Sequence, residues 1–300
     1  MHKNSVIVIA GPTASGKSQL AMDVALGIGG VIVNADSMQV YRNAPILSAA
    51  PSEEDVKKVR HVLYGTKDIS EESSVAEWLE SAAFEIRIIW KEGKVPIVVG
   101  GTGFYIDALL NGIGDIPKTD RADLPGLAEM YETLKEVDRE SYERLNPNDA
   151  SRVTRAYCVF KATGKPLSKW QKESSKKVLP EAKFLVIKLV PPIVELEERI
   201  ALRFDKMMEK GALEEVKRIA ALGLDRNLSG MKMLGLPELM DFLEGKHTLE
   251  EEISLAKLHS RQYAKRQRTW FNNKLEADIT LTHCYGQEKE VLKRILAVAQ

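Results

Sequence analysis

Along the first 110 residues of this 300-residue chain, short apolar runs alternate with longer stretches of helical periodicity. Ser5-Val-Ile-Val-Ile-Ala10, Val31-Ile-Val-Asn-Ala35 and Val95-Pro-Ile-Val-Val99 have the length and β-branched content of buried strands. After the first of them, Leu20, Ala21, Val24 and Ala25 fall at helix spacing. Ser74 to Ile89 is a longer helical pattern, with Ser74 as N-cap and Glu77 completing a capping box. Phe184 to Val190 reads as a fourth strand. Strand and helix in alternation predict a parallel sheet with helices on both faces, whose ligand site lies at the C-terminal strand ends.

Between Pro117 and Leu179 the strand signal disappears. Helical patterns take its place over Asp123–Arg144, Ala150–Thr163 and Leu167–Lys177, with Val153, Ala156 and Phe160 making an apolar stripe. From Pro191 the chain is again helical, with Arg199–Leu222 and Leu249–Phe271 the longest stretches. The expected organisation is a core in two parts, 1–116 and 180–300, around an inserted all-helical domain, 117–179.

Residues 11 to 18 read Gly-Pro-Thr-Ala-Ser-Gly-Lys-Ser, a phosphate-binding loop between a strand and a helix. Gly11 and Gly16 let the backbone wrap an anion. The N–H groups of Thr13, Ala14 and Ser15 and the helix N-terminus supply partial positive charge, Lys17 adds a full one, and the Ser18 hydroxyl suits Mg²⁺. The fold class is therefore α/β, with a P-loop NTPase-like parallel-sheet core. A bound phosphorylated molecule follows from the same motif.

Composition narrows the class further. The chain is 44% apolar, and no segment reaches the roughly 18 apolar residues of a membrane span. The first apolar run is too short for a signal-peptide core. Cys158 and Cys284 have neither metal spacing nor a disulfide framework. A cytoplasmic protein is expected, and a monomer, since no heptad pattern or interface strip is present.

Net charge is zero, from 43 basic and 43 acidic residues, but its distribution is uneven. Arg152, Arg155, Lys161, Lys165, Lys169, Lys172, Lys176 and Lys177 accompany a single acid, Glu173, between Ser151 and Lys177. On a helix, Lys257, Arg261, Lys265 and Arg268 share one face. Segregated positive charge on a neutral chain predicts local anion-binding surfaces.

Hydrolases with this loop commonly place a carboxylate at a neighbouring strand end to organise Mg²⁺ and water. Here the third strand ends in Gly100-Gly-Thr102-Gly103, and the carboxylate follows the second strand, as Asp36. An aspartate facing a loop-bound phosphate can deprotonate an acceptor, which is transferase chemistry. Thr102 can donate to the same phosphate or to a leaving oxygen. A small-molecule kinase holding ATP is one such enzyme. Another moves a group from a diphosphate ester to an acceptor on a large anionic polymer, and the basic insertion favours it. A non-catalytic RNA-binding protein would leave Lys17, Asp36 and Thr102 unexplained.

Six motifs occur in order: Gly11 to Ser18, Asp36-Ser-Met-Gln-Val-Tyr41, Val99-Gly-Gly-Thr-Gly-Phe-Tyr105, Asn146-Pro-Asn-Asp149, Thr163-Gly-Lys-Pro-Leu167 and Arg261-Gln-Tyr-Ala-Lys-Arg-Gln267. Together they closely resemble the bacterial tRNA dimethylallyltransferases, also called tRNA isopentenyltransferases, from about Ile7 to Phe271. The resemblance implies transfer of dimethylallyl from dimethylallyl diphosphate to the exocyclic N6 amine of the adenosine 3′ of the anticodon. It implies that the loop from Gly11 to Ser18 holds the diphosphate, with Arg203 as a second cation and Mg²⁺ at Ser18. Asp36 becomes the general base and Thr102 its assistant. Asp36, Ser37, Met38 and Gln39 line the base pocket, while Ser151, Arg152, Arg155, Lys232 and Gly235 hold tRNA. A prenyl transferase acting on free adenine nucleotides shares the core motifs, but needs no extended basic grip.

The chain departs from the family in three places. Arg42-Asn-Ala-Pro-Ile-Leu-Ser-Ala-Ala-Pro51 replaces a glycine-rich segment, with Ala50 where a basic residue is usual and Arg42 as a substitute. Leu236-Pro237 replaces an aromatic and basic pair. Leu124 stands near an arginine position, with Arg121 one turn away as a stand-in.

Overall fold

The computed structural model describes residues 4–114, 116, 117, 119, 123–173, 176–286 and 288–299. They divide into two compact units, Met1–Leu110 with Leu179–Gln300, and Asn111–Val178.

The first unit opens with β1 (Ser5–Ala10), α1 (Lys17–Ile28), β2 (Val31–Asn34), α2 (Glu53–Lys58), β3 (His61–Val62), α3 (Val75–Lys91), β4 (Pro96–Gly100) and α4 (Gly103–Asn111). The inserted unit carries α5 (Leu127–Val137), α6 (Arg139–Arg144), α7 (Ala150–Thr163) and α8 (Leu167–Lys172). The first unit then resumes with β5 (Lys183–Leu189), α9 (Ile193–Glu209), α10 (Ala212–Ala220), a 3₁₀ turn (Gly230–Lys232), α11 (Leu236–Leu243), α12 (Leu249–Lys274), β6 (Ile279–Leu281) and α13 (Lys289–Ala299).

All six strands are parallel, in the order β3-β2-β4-β1-β5-β6. Ile7 pairs with Ile97 on one side of β1 and with Leu185 on the other, so the phosphate-loop strand is central. Val6 to Ala10 are buried without a break, because helices cover both faces. Ile7, Ile9, Ile32, Ile97, Val99 and Leu189 pack against Leu20, Val24 and Ile295 of α1 and α13. A second core in the same unit gathers Phe204, Val216, Leu236, Leu239 and Ala256 from α9 to α12. The inserted unit has its own, built on Met130, Leu134, Val153, Ala156 and Val159.

Several expected elements differ in extent, each for a local reason. The helix expected over Asp123–Arg144 is two, α5 and α6. The Asp138 side chain accepts from the Ser141 and Ser168 N–H groups, and so caps a new helix in mid-pattern. Arg199–Leu222 breaks at Gly211, which takes φ +92°. The final helix of the insertion stops at Lys172, short of Lys177. The inserted unit also opens ahead of residue 117. Gly112 takes φ +81°, and Ile113 forms an antiparallel bridge with Lys176, so the chain enters and leaves side by side. At Ser74 the expected cap forms, with its hydroxyl accepting from the Glu77 N–H, while the Glu77 carboxylate pairs with Lys67 at 2.8 Å.

The C-terminal ends of β2 and β4 approach closely enough to need glycine. A Cβ at Gly100 would stand 2.0 Å from the Ala35 carbonyl oxygen, and the Ala35 N–H donates to Val99 O at 2.8 Å. Backbone cannot retreat there without breaking that pairing. Gly100→Ala is therefore expected to destabilise the protein by about 2 kcal/mol or more in urea unfolding. A loss below about 0.5 kcal/mol would show that the two strand ends are free to separate.

Candidate active site

The loop after β1 closes around its own backbone. Gly16 takes φ +89°, and a Cβ there would lie 2.4 Å from the Tyr285 carbonyl oxygen. Ala14 also has positive φ, at +63°. Nothing caps the N-terminus of α1, which has neither a side-chain hydrogen bond at Gly16 nor an acid in its first turn. Its first N–H groups are thus available to an anion. The Ser15 N–H instead donates to Pro12 O at 3.3 Å, and the Ser15 hydroxyl is buried with no partner. Ser18 sits exposed at the start of the helix.

Two cations converge on this loop. Lys17 is only 9% exposed and its Nζ donates to Pro12 O at 3.2 Å. Arg203, from α9, donates to Thr13 Oγ1 at 3.1 Å. Burial pulls the Lys17 ammonium down to about 8, with Asp36 opposing that shift and Arg203 adding to it. Burial also lowers Arg203, again opposed by Asp36. Two desolvated cations near a single carboxylate leave this cluster with surplus positive charge.

Asp36 is held by short-range bonds. Its N–H donates to Asn34 Oδ1 at 2.8 Å, and its Oδ1 accepts from the Met38 N–H at 3.0 Å, an Asx turn. Asn34 is itself fixed, since its amide donates to Asp36 O and Leu63 O and its carbonyl accepts from Trp78 Nε1. The second carboxylate oxygen, Oδ2, lies beside Gly101, where a Cβ would be 3.4 Å away. Thr102 Oγ1 accepts from the Ser37 N–H at 2.9 Å and donates to Ser37 Oγ at 3.2 Å. The strand ends of β2 and β4 thereby carry Asp36 and Thr102 as one unit.

Gln267, on α12, ties this unit to the phosphate loop. Its Oε1 accepts from the Thr13 N–H at 2.9 Å and its Nε2 donates to Gly101 O at 2.8 Å. Sequence reasoning included Gln267 in a motif but gave it no role. A glutamine on a long helix carries no local signal, and only the fold brings it to both loops. Trp270, one turn on, packs where a Cβ on Gly103 would stand, 2.4 Å from its ring.

Residues 39–274 match the family described as IPP transferase. A tRNA dimethylallyltransferase of Rhodospirillum centenum is 43% identical over 281 residues, covering 91% of this chain and 90% of its own. A tRNA isopentenylpyrophosphate transferase of Bacillus halodurans superposes with a TM-score of 0.72 at 32% identity, over 99% of this chain and 96% of that one. A eukaryotic dimethylallyltransferase acting on tRNA superposes with a TM-score of 0.84 at 30% identity, over 99% of this chain and 78% of that one. The chain belongs to the tRNA dimethylallyltransferase family. It is a transferase with a P-loop-type core.

Outside the cluster around the phosphate loop, the family-derived positions fall in several environments. Gln39 donates to Ser48 O and Ala49 O at 3.0 and 2.8 Å. In the inserted unit, Ser151 and Arg152 are exposed on α7, and Arg152 pairs with Asp149 at 3.4 Å. Arg155 is directed to its own unit, donating to Thr119 Oγ1 and Pro117 O. Lys232 is exposed on the 3₁₀ turn. Gly235 is buried at φ +88°, with Phe204 and Leu47 where a Cβ would go, so it serves as a turn.

Two of the four cations on the basic face expected on α12 pair with acids of α9, while Lys265 stays exposed. Lys257 pairs with Asp205 at 2.6 Å, Arg261 with Glu197 at 3.7 Å, and Arg268 Nε donates to Pro191 O. Cross-helix acids are invisible to a count of charges along one segment. Arg42 turns to Glu71 and Thr66 O, so it does not replace the missing cation at Ala50. Leu124 packs on the core of the inserted unit, and Leu236 is fully buried. Arg121 lies outside the described residues.

A depressed lysine has a consequence for stability. Lys17 titrates near 8 in the folded chain, against 10.5 when unfolded. Below pH 8 the fold carries a charged, desolvated ammonium. Between pH 8 and 10.5 the unfolded chain binds the extra proton, so stability rises and the penalty fades. Lys17→Met is expected to stabilise the ligand-free protein by roughly 2–3 kcal/mol below pH 8, an advantage that shrinks toward pH 10.5 in paired urea melts. A difference independent of pH would remove the charge from the explanation.

Proposed function

We propose that this protein transfers a dimethylallyl group from dimethylallyl diphosphate to the N6 amine of the adenosine 3′-adjacent to the anticodon of tRNA. The observation that carries this reading is the surplus of buried positive charge at Lys17 and Arg203, set beside a carboxylate oxygen of Asp36. A diphosphate satisfies the two cations and the uncapped helix N-terminus. The carboxylate then faces the acceptor rather than the anion.

In this mechanism the allylic C–O bond breaks as the bond from nitrogen to carbon forms. Diphosphate leaves with the electron pair, stabilised by Lys17 and Arg203. The proton of the amine passes to Asp36 Oδ2, while Oδ1 remains bonded to the Met38 N–H and keeps the carboxylate aimed. Thr102, already exchanging hydrogen bonds with Ser37, offers its hydroxyl to the leaving oxygen. A stacked adenosine cannot reach this position, so the base must leave the anticodon-loop stack. Arg152, Lys169 and the 3₁₀ turn at Lys232 are exposed cations that suit the tRNA backbone.

The residues present fit a Mg²⁺ that arrives with its substrate. Among the described residues no group of three or more His, Cys, Asp or Glu could hold a metal alone. Mg²⁺ commonly keeps several waters and binds through one or two protein oxygens plus phosphate. Ser18 would hold it together with the diphosphate, and it would neutralise charge on the leaving group.

The test is mass spectrometry of unmodified tRNA incubated with protein, Mg²⁺ and dimethylallyl diphosphate. A gain of one dimethylallyl group on the adenosine 3′ of the anticodon is expected. Product only with free adenine nucleotide, or none with either acceptor, would contradict the reading. In the same assay Asp36→Ala is expected to lower turnover by roughly 100-fold, with tRNA binding retained. Near-normal turnover would remove Asp36 from proton transfer.

A further inference from the structure

Residues 44–50 form a short helical turn, although nothing in the local sequence marks one. Ser48 N–H donates to Ala44 O at 3.0 Å, Ala49 N–H to Ile46 O at 3.0 Å and Ala50 N–H to Pro45 O at 2.9 Å. Such a turn leaves N–H groups unpaired at its start and carbonyls unpaired at its end. Both ends are satisfied from elsewhere in the chain. At the start, the Ile46 and Leu47 N–H groups donate to the two carboxylate oxygens of Glu215, each at 2.9 Å. At the end, the Ser48 and Ala49 carbonyls accept from the Gln39 amide nitrogen. Ala49 takes φ +50°, a left-handed conformation that a non-glycine residue holds only when its surroundings impose it.

Glu215 comes from the first turns of α10, and its side chain is fully buried. Replacing the oxygen that faces Leu47 leaves a buried N–H unsatisfied, and replacing the other leaves a half-buried one. At the other end, donation from Gln39 Nε2 to two carbonyls fixes which way the amide faces. Its Oε1 accepts from no described residue and remains available as an acceptor. Gln39 follows Asp36 by three positions, in the segment that the family resemblance assigns to the base pocket.

We propose that Glu215 is a positioning residue for the base pocket. It holds the 44–50 turn by its N–H groups, and the turn holds the Gln39 amide by its carbonyls. An adenine edge presents an amine donor, the group that a fixed Oε1 reads. The proposal rests on the prenyl-transfer reading above. It gives the segment in which this chain departs from its family a defined task.

The test compares wild type, Gln39→Ala, Glu215→Ala, Glu215→Gln and the Gln39→Ala/Glu215→Ala double variant in the prenylation assay, with amide hydrogen exchange at Ile46 and Leu47. Each single alanine variant is expected to lower kcat/KM for tRNA roughly tenfold, since each removes two hydrogen bonds that hold the turn or the amide in place. Because the two act on one turn, the double variant should also lose roughly tenfold rather than a hundredfold. KM for dimethylallyl diphosphate should stay unchanged, since no described bond of the turn reaches the phosphate loop. Glu215→Gln keeps one acceptor oxygen and is expected to recover part of the loss while exchanging faster at one or both amides. It serves in place of Glu215→Ala should that variant not fold. Multiplicative losses overturn the proposal, as does faster exchange with unchanged kcat/KM. A wild-type protein that prenylates no tRNA overturns the reaction itself, whereas active wild type matched by Glu215→Gln overturns only the role of Glu215.

Discussion

Two cations with little water around them, and one carboxylate near enough to oppose their loss of charge, set the terms for the rest of this molecule. An isolated buried ammonium is expensive, and burial pulls this one down from 10.5 to about 8. Lys17 survives there because the Pro12 carbonyl accepts from it and Asp36 lies close. The unliganded site is thus electrostatically incomplete. In the proposed reaction a diphosphate would supply the missing negative charge, at the point where more negative charge develops as it leaves.

The scaffold turns that charge distribution into geometry. A parallel sheet brings the ends of β1, β2 and β4 to one edge, where they are followed by Lys17, Asp36 and Thr102, and α9 adds Arg203. The close approach of Gly100 to Ala35 sets the spacing between the strand ends that carry Asp36 and Thr102. Gln267 then fixes both to the phosphate loop from a helix more than 160 residues away in sequence. Positioning of this kind, made before substrate arrives, is what electrostatic catalysis needs. Glutamine suits the task because one side chain offers both an acceptor and a donor.

What was legible in the sequence was local. The strand, loop and helix around Gly11 to Ser18 lie within a continuous stretch, and so do Asp36 after β2 and Gly100 to Thr102 after β4. The apolar runs gave four of the six strands. The two-residue β3 at His61–Val62 and the three-residue β6 at Ile279–Leu281 are too short to show a period. Helix lengths failed where one side chain intervened, as at Asp138, or where one glycine turned left-handed, as at Gly211. Most of what was missed lies in pairings across elements. Glu197 and Asp205 pair with two cations of a basic stripe that looked free, and Glu215 bonds a turn 169 positions earlier in sequence. Such pairings depend on tertiary approach, and no spacing rule reports them.

Lys17, desolvated and short of negative charge, is the group that a bound polyanion would change most. The direct measurement is the ionisation of its side chain, followed by NMR of selectively labelled lysine across pH 6 to 11, in the free protein and with inorganic diphosphate. Lys17 should titrate near pH 8 when free, and well above that with diphosphate bound, because the anion favours the ammonium. A Lys17 that titrates near 10.5 when free, or that diphosphate leaves unmoved, would contradict the account.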